Sequence, residues 1–398
     1  MAGRIGIVTL GDLYMRLAYL SGSTIPSRSA NSIHVMKMCQ SFGFLGNNIT
    51  LFAPDINKGT ESEVTDDYQY YGVSQVFSIV RVGWSKWFGR TYLSGLLTAI
   101  NVQRGGYSLA LARCLPSAFF AALFKIPVIF EFHQPISDSG RLSKFNEFLF
   151  KRLIRSRSFV GFVSITHALK AHFLEHYPEL QGRICVAPDG SDPFPLHYEA
   201  VSLPSRSGRL QVGYVGQLYA GKGMEIVSKL CHLAPFADFH VVGGLQSDID
   251  KWQAELTAEN ITFHGFVPHA RTPGYIAAFD VLLLPNQNRI TWHKAGGDIG
   301  QWTSPLKMFE YMSAGKAIIS SDIPVLREVL QDEVNALLCP PDDIEAWVKT
   351  LHRLEDVSLR KRLGERALAD FLENYTWQRR AQTIMAYFGY ADGSREGK

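Results

Sequence analysis

A glycine-rich turn that ends in a lysine has the residue types needed to hold an anion. It runs from Gly216 and Gln217 to Gly221, Lys222 and Gly223, between a short apolar run and an amphipathic stretch. Glycines let the backbone approach a ligand closely, and the free N–H groups at the start of a helix favour negative charge. Lys222 would add a full positive charge there. The turn predicts a phosphate site, and a plain strand–helix turn with a solvated lysine is the alternative.

The spacing of this turn is close to that of the P-loop found in nucleoside triphosphatases. A P-loop needs a Ser or Thr directly after its lysine to hold Mg²⁺, and this chain has Gly223 at that position. A P-loop enzyme is therefore a poor match to the sequence.

A second segment, from Ser304 to Glu310, has the pattern of a helix N-terminus that faces an anion. Ser304 is a favoured N-cap residue, and Pro305 suits the first helical position. The free N–H groups of Leu306 and Lys307 would then point at the ligand. Glu310 lies about one turn further on, where its carboxylate can accept two hydrogen bonds from a ribose diol. The alternative is a well-capped helix with surface charges.

Two features of the first half could face the same ligand. Glu131 and His133 stand at the end of a predicted strand, and His133 could hydrogen-bond a sugar or move a proton. Gly11 follows the predicted first strand and precedes a long polar loop over residues 12–30. Loops of that length are usually functional, so we interpret it as an acceptor-side or gating loop. A structural histidine and an ordinary insertion are the alternatives.

The elements that must position these residues alternate regularly. Apolar runs of four to eight residues alternate with amphipathic stretches, as in parallel sheets covered by helices. The first strand is predicted over residues 4–10 and a helix over residues 324–330. The sequence thus predicts an α/β protein with two Rossmann-like, doubly wound domains.

A stretch rich in Pro, Ser and Gly divides this alternation into two parts. We place an acceptor-side domain at residues 1–195, the linker at 196–208, and the domain with both anion-binding segments at 209–376. Because ligands bind at the carboxyl ends of parallel strands, we expect the site in the cleft between the two domains.

Bulk composition is that of an ordinary globular protein. The 398 residues carry a net charge of +3, with +5 in residues 1–200 and −2 in the remainder. This weak basic excess fits an anionic partner or a membrane surface, and no basic run interleaved with aromatics indicates nucleic acid. Five scattered cysteines argue against a disulfide framework and a zinc site. Without a signal-peptide or membrane-span pattern, we expect a cytoplasmic protein.

Taken in order, these segments resemble the retaining glycosyltransferases of the GT-B fold, specifically the large fourth family (group 1 glycosyltransferases), which includes many polysaccharide and lipopolysaccharide enzymes. The resemblance covers nearly the whole chain. It is carried by Glu131-Phe-His133, Val186-Ala-Pro-Asp189-Gly190, Val212-Gly-Tyr-Val-Gly216, Phe263-His-Gly265-Phe-Val-Pro268 and Ser304-Pro-Leu-Lys-Met-Phe-Glu310. Thr376 and Trp377 resemble the segment after which residues 377–390 cross back as a helix to the first domain.

The resemblance implies a role for each candidate residue. Lys222 and the backbone of residues 304–307 would hold the diphosphate of a nucleotide-sugar, and Glu310 its ribose. His133 would lie by the transferred sugar and act with Lys222 in catalysis. The other donor-binding residues would be Gly11, Gly216, Gln217, Gly265, Phe266 and Val267, the last three lining the base pocket. The resemblance implies no metal and no cofactor, because the nucleotide-sugar is a substrate.

Two positions depart from the family pattern. Gln217 stands where an arginine is usual, which removes one phosphate-neutralising charge for which Lys307 is a candidate substitute. Trp302 stands where the family usually has a glutamate that contacts the sugar ring, and Asp298 could replace that carboxylate.

The reaction expected from the resemblance is transfer of a sugar to an acceptor hydroxyl with retained configuration. The donor would be a nucleoside-diphosphate sugar, and the acceptor would be a glycan or a lipid-linked acceptor. A nucleotide-sugar epimerase of the same fold and a non-catalytic sugar-nucleotide-binding subunit are the alternatives.

Aromatic and cationic residues mix over residues 80–93, and further cations lie over residues 144–157. This pattern is typical of peripheral contact with the inner face of a membrane, and a solvated helix face with core aromatics is the alternative.

Overall fold

The structure is a computed structural model, and it describes residues 15–56, 61, 63–83, 89–136, 142–204, 208–290 and 300–390. The predicted strand over residues 4–10 and Gly11 lie outside these ranges, as does Asp298. Within them the chain forms two parallel α/β sheets, one in each half.

The first half forms a seven-stranded parallel sheet with the order β3-β2-β1-β4-β5-β6-β7. The strands are β1 (Arg16–Leu20), β2 (Asn48–Asp55), β3 (Ser78–Gly83), β4 (Leu109–Ala112), β5 (Val128–Glu131), β6 (Phe159–Ser164) and β7 (Ile184–Val186). The helices are α1 (Ala30–Phe44), α2 (Asp67–Tyr71), α3 (Arg90–Gly105), α4 (Leu115–Leu123), α5 (Ser143–Ile154) and α6 (His167–His176). The central strands are buried on both faces, which explains their continuous apolar runs.

The second half repeats this plan with the order β10-β9-β8-β11-β12-β13. Its strands are β8 (Leu210–Val215), β9 (Ala237–Val242), β10 (Ile261–Gly265), β11 (Val281–Leu284), β12 (Ala317–Ser321) and β13 (Leu337–Cys339). Its helices are α7 (Met224–Leu233), α8 (Gln246–Glu255), α9 (Thr272–Ala278), α10 (Leu306–Ser313), α11 (Ile344–Arg353) and α12 (Val357–Asn374). The strand order reverses between β1 and β4 in one sheet and between β8 and β11 in the other, and ligands bind at such points.

The last helix, α13 (Trp377–Tyr387), returns to the first sheet. A bridge between Ser191 and Thr376 brings the chain back, and α13 then packs beside α1. The buried face of α13 includes Trp377, Ala381 and Ile384, which belong to a core of the first domain. This helix therefore packs on the first domain although it follows the second domain in sequence.

Two local predictions are wrong, and one helix was missed. The loop predicted over residues 12–30 contains β1, which pairs with β2 and β4 in the middle of the sheet. Residues 324–330 form turns instead of a helix. Helix α3 was not predicted, because Gly95 interrupts its pattern. A Cβ on Gly95 would lie 2.9 Å from the backbone of Pro116, so the close packing of α3 on α4 requires the glycine.

Candidate functional site

Two lysine ammonium groups lie together at the carboxyl edge of the second sheet. Lys222 precedes α7, and Lys307 is the second residue of α10. The Lys307 Nζ is buried without a hydrogen bond, 3.9 Å from the centroid of the Tyr214 ring. The Lys222 Nζ lies 5.3 Å from the centroid of the Tyr219 ring. Among the described residues, neither ammonium group has a hydrogen bond or an ion pair with a carboxylate.

The electrostatics of this pair indicate an anion site. Burial lowers the pKa of Lys222 to about 8. Burial, with the nearby Lys222 charge as a second cause, lowers the pKa of Lys307 well below its ordinary value. Both α7 and α10 begin without a side-chain cap, so their first N–H groups are available to a ligand. A diphosphate would neutralise both cations and accept those hydrogen bonds.

The glycines of the turn after β8 are required by close packing. Gly216 has φ 149°, and a Cβ there would lie 3.2 Å from the Lys307 Nζ. Gly221 has φ 86°, and a Cβ there would lie 2.3 Å from the carbonyl oxygen of Arg289. Gly223 has φ 108°, and a Cβ there would lie 2.2 Å from the Pro285 carbonyl oxygen. The turn is therefore pressed against the loop that follows β11, at the point where the strand order reverses.

Glu310 lies on α10, one turn beyond Lys307, and contacts the segment that follows β10. Its Oε1 is 2.8 Å from Nε2 of His269. His269 follows Gly265, Phe266 and Val267, so the residues predicted to bind ribose and base lie side by side. The Phe266 ring also meets the first domain, where the Arg28 guanidinium lies 3.9 Å from its centroid.

The first domain contributes a buried network centred on Glu131, the last residue of β5. Nη2 of Arg380, on α13, lies 3.0 Å from Glu131 Oε1, and Nε2 of His133 lies 2.6 Å from the same oxygen. His34 Nε2 approaches this oxygen at 3.1 Å, and His34 Nδ1 lies 2.8 Å from Asp189 Oδ1. Five side chains from α1, β5, α13 and the connecting loops thus share one network.

Charge pairing decides the protonation of this network. Burial opposes ionisation of Glu131, but Arg380, then His34 and Arg113, hold its pKa well below the ordinary value. Burial also opposes ionisation of Asp189, but His34 and His133 lower its pKa to about 2. Burial, followed by the Arg113 charge, lowers the pKa of His133 to about 4. His133 is therefore neutral near pH 7, between ionised neighbours.

The contacts of His133 assign its tautomer. Because a carboxylate accepts, Nε2 carries the proton that is donated to Glu131. Nη2 of Arg113 lies 3.0 Å from both ring nitrogens. A position that close to both in the ring plane would clash with the carbon between them, so the guanidinium lies over the ring face. Nδ1 therefore keeps an in-plane lone pair, and His133 can accept a hydrogen bond from a hydroxyl.

The same cluster was considered as a metal site. His34, Glu131, His133 and Asp189 each offer one ligand atom, and these atoms lie within 4.8 Å of one another. Arg380 already pairs with Glu131, and Nε of Arg113 lies 3.7 Å from it. Two guanidinium groups at the carboxylate oppose a divalent cation, so the donor set fits a hydrogen-bonded network better than a metal centre.

The two halves of the site touch through the residues that precede α10. The Asp189 N–H donates to Oγ of Ser304 at 3.0 Å. The predicted N-cap role of Ser304 is wrong, because the cap position is Pro305 and has no side-chain cap. Ser304 instead joins the loop that precedes α10 to the His34–Asp189 pair of the other domain.

Comparisons with known proteins agree with this geometry. Residues 209–356 match the family model described as Glycosyl transferases group 1. The 2-deoxystreptamine N-acetyl-D-glucosaminyltransferase of Streptomyces fradiae is 26% identical over 49% of this chain and 47% of that protein. The phosphatidyl-myo-inositol mannosyltransferase of Mycolicibacterium smegmatis is 28% identical over 44% of this chain and 43% of that protein. The chain thus spans about half the length of the curated relatives it matches.

A solved structure extends the similarity to the whole fold. The Anabaena protein HepE, in complex with UDP and glucose, gives a TM-score of 0.69 at 15% identity, over 94% of this chain and 100% of that one. This chain has the GT-B fold, and its second domain is similar to group 1 glycosyltransferase domains. The predicted two Rossmann-like domains that face across a cleft are confirmed.

Most sequence-predicted residues meet in the GT-B cleft. Lys307 Nζ lies near Gly216 and close enough to Lys222 for their charges to interact, Gln217 pairs with Tyr214 through its backbone, and Glu310 contacts His269, which follows Phe266. Ser304, Pro305 and Leu306 lead into α10, and His133 lies across the cleft on the first domain. Gly11 lies outside the described residues. Gly22, which follows β1, occupies the place in the fold that was expected of Gly11.

The two departures from the family pattern have distinct surroundings. Gln217 accepts a hydrogen bond from Tyr214 Oη through its backbone oxygen at 2.6 Å, and the Lys307 ammonium lies over the same Tyr214 ring. Trp302 packs against the core of the first domain, with its ring 5.1 Å from that of His172 on α6. The usual carboxylate position is therefore occupied by a domain–domain contact.

Sequence reasoning missed Arg113, Arg380, His34, Asp189 and His269. Arg380 carried a usable signal, because it stands on the apolar face of α13 with Trp377, Ala381 and Ile384. A cation on a buried face requires a carboxylate partner. That partner, Glu131, is 249 residues away in sequence, so the local pattern could not identify it.

Proposed function

We propose that this protein transfers a sugar from a nucleoside-diphosphate sugar to an acceptor hydroxyl, with retained configuration, in the synthesis of a polysaccharide, lipopolysaccharide or glycolipid. One observation carries the proposal: the Lys222 and Lys307 ammonium groups converge on two uncapped helix starts without a carboxylate partner among the described residues. A diphosphate matches that site in charge and in its need for hydrogen-bond donors.

The chemistry follows from where charge develops. Departure of the diphosphate places negative charge on its oxygens, and donors already aimed at that position stabilise the transition state. Lys222, Lys307 and the first N–H groups of α10 would supply these donors, while Glu310 holds the ribose. His133, neutral and with Nδ1 as acceptor, would orient a sugar hydroxyl. Contact between the domains would keep water from the reacting carbon.

The alternatives are an epimerase of the same fold and a non-catalytic sugar-nucleotide-binding subunit. The relatives compared above are transferases, and HepE was solved with UDP and glucose, which favours transfer and a UDP-sugar donor. Labelled donor incubated without acceptor tests for the epimerase, which would isomerise the sugar. A panel of acceptors then tests for the binding subunit, which would bind the donor but give no product with any acceptor.

The decisive test is removal of Lys222. Lys222→Ala should lower kcat by at least about 10²-fold, as expected when one transition-state donor is lost. Lys229→Ala removes the same charge from an exposed position on α7 and should leave kcat unchanged. Near-normal turnover of Lys222→Ala, in a preparation whose wild type is active, would refute the proposed role of the lysine pair.

The proposal includes peripheral docking at the cytoplasmic face of a membrane that carries the acceptor. No helix in the described part of the chain is long and apolar enough to span a bilayer. The starts of α3 and α5 meet, since Tyr92 Oη donates to Asn146 Oδ1 at 2.7 Å. Around this contact Leu93, Phe145 and Phe148 are 48%, 46% and 50% exposed. Helices that follow parallel strands begin at the cleft edge, so this apolar patch flanks the site.

Cations border the patch, as expected for a surface that meets anionic headgroups. Arg152 lies 5.4 Å from the Phe148 ring, and Lys144 is exposed beside Phe145. Phe145→Ser with Phe148→Ser should abolish sedimentation with phosphatidylglycerol vesicles. Leu123→Ser is the matched control, because Leu123 is an exposed apolar residue at the carboxyl end of α4, away from the edge where α3 and α5 begin. Wild-type protein that stays in the supernatant with these vesicles would refute the docking.

A further inference from the structure

A buried arginine on the last helix is paired with the carboxylate that holds the site histidine. Arg380 is 3% exposed and Glu131 is 6% exposed. The Arg380 Nη2 lies 3.0 Å from Glu131 Oε1, its Nη1 lies 3.4 Å from Oε2, and its Nε donates to the Pro188 carbonyl oxygen at 2.9 Å. The guanidinium is thus fixed on three sides by the first domain.

This pair has more than a structural consequence, because of what else touches Glu131. The oxygen that accepts from Arg380 also accepts from His133 Nε2 at 2.6 Å. If Glu131 rotated or became protonated, His133 would lose the acceptor that selects its tautomer. Arg113 cannot select the tautomer in place of Glu131, because its guanidinium lies over the ring face at equal distance from both nitrogens of His133.

We propose that Arg380 is a positioning residue for sugar transfer: through Glu131 it holds His133 as the Nε2–H tautomer, with Nδ1 free to accept a hydrogen bond from a substrate hydroxyl. The inference rests on the proposed function for its catalytic consequence. The tautomer itself is a property of the free protein and can be measured without any substrate.

A merely structural role for Arg380 predicts something different. The pair joins α13 to β5, so its loss would lower stability whether or not His133 changes. A positioning role predicts in addition that His133 changes its tautomer population and that kcat falls more than the donor KM rises. The two roles are therefore separated by spectroscopy and by the split between kcat and KM.

The first measurement uses the wild-type protein with its histidines labelled with ¹⁵N. The imidazole shifts of His133, assigned by comparison with His133→Gln, should show a protonated Nε2 and an unprotonated Nδ1 at pH 7. A dominant Nδ1–H tautomer or a charged ring would overturn the proposal without any Arg380 variant. If the wild type shows the expected tautomer but transfers no sugar from any donor, the proposed function fails and this structural assignment stands.

The second measurement compares variants that remove different parts of the contact. Arg380→Met removes the charge, and Arg380→Lys keeps the charge but loses the forked geometry. The matched control is Arg379→Met on the same helix, where the arginine is exposed and its side chain contacts Glu373 and Gln382. We expect kcat to fall about 10- to 100-fold in Arg380→Met, as when a group that orients a functional histidine is lost.

The expected order of activity is wild type and Arg379→Met together, then Arg380→Lys, then Arg380→Met. The His133 shifts should indicate mixed tautomers in Arg380→Met. If Arg380→Met does not fold, Glu131→Gln replaces it, since the amide keeps an acceptor oxygen but adds a donor that can turn toward His133. A folded Arg380→Met or Glu131→Gln with wild-type His133 shifts and wild-type kcat would overturn the proposal.

Discussion

Removal of the Lys307 ammonium should have opposite effects on stability and on ligand affinity. The Nζ is buried without a hydrogen bond, and burial, then Lys222, lowers its pKa well below the ordinary value. A buried unsatisfied polar group costs about 1–3 kcal/mol. The contact with the Tyr214 ring at 3.9 Å offsets about 0.5–2 kcal/mol of that cost. Lys307→Met should therefore stabilise the nucleotide-free protein by about 1 kcal/mol.

The same substitution should weaken binding of UDP. A hydrogen bond to a charged group contributes about 1.5–3 kcal/mol, which corresponds to about 10- to 150-fold in Kd. One kcal/mol shifts the Tm of a domain of this size by about 2–4 °C. Thermal melts without nucleotide and calorimetric titration with UDP measure the two effects separately.

A matched lysine gives the opposite expectation. Lys316, just after α10, donates to the Ala277 carbonyl oxygen at 2.7 Å, so it has the partner that Lys307 lacks. Lys316→Met should lower Tm and leave the Kd for UDP unchanged. A Lys307→Met protein with a lower Tm and wild-type affinity for UDP would show that the ammonium serves packing and not the anion.

Three further expectations follow from other contacts. Gln217→Arg should restore UDP affinity in a Lys307→Met background but not raise it in wild type, because Lys307 already supplies the missing charge; titration of all three variants checks this. Glu328 accepts from the N–H groups of His167 and Ala168 at 2.7 and 2.9 Å, so Glu328→Ala should weaken domain contact by about 1 kcal/mol and enlarge the radius of gyration in solution scattering. Burial, followed by the nearby His264, lowers the pKa of His240 from 6.5 to about 4. The unfolded chain therefore takes up the proton first, and the free energy of unfolding falls as the pH drops from 6.5 toward 4. Urea melts over this pH range should show a shallower fall in that free energy for His240→Gln.

Strands and helices could be predicted where the local pattern of apolar residues matches the burial of the element in the fold. The sequence predicts Leu210–Val215, Met224–Leu233 and Leu306–Ser313 with the bounds that the structure has, because each apolar run is either a buried strand or one helix face. The strand Arg16–Leu20 was missed, because residues 4–10 have an equally apolar pattern. Only pairing with β2 and β4 identifies Arg16–Leu20 as the central strand.

The site residues likewise divide into those that the sequence could predict and those that it could not. Lys222 and Lys307 could be predicted because helix starts, glycines and cations have a local signature. The network around Glu131 could not, since its members come from four separate segments and meet only after the chain folds. The pairing of Ser304 with Asp189 was hidden for the same reason, because its local pattern favours an N-cap.

The two sides of the cleft differ in charge, and in the proposed reaction this difference would decide which part of the donor each side holds. The second domain presents Lys222 and Lys307 without partners among the described residues, so it gains most from an anion. On the first domain, Arg380 and Arg113 are balanced by Glu131 and Asp189, and the neutral, half-buried His133 has the most exposed side chain of this network. A balanced network gains little from an anion but can orient a neutral hydroxyl. In the proposed reaction, the diphosphate would therefore bind the second domain and the transferred sugar would lie toward the first. Because Arg380 follows the crossover at Thr376, the sugar side is complete only when the end of the chain has returned to the first domain.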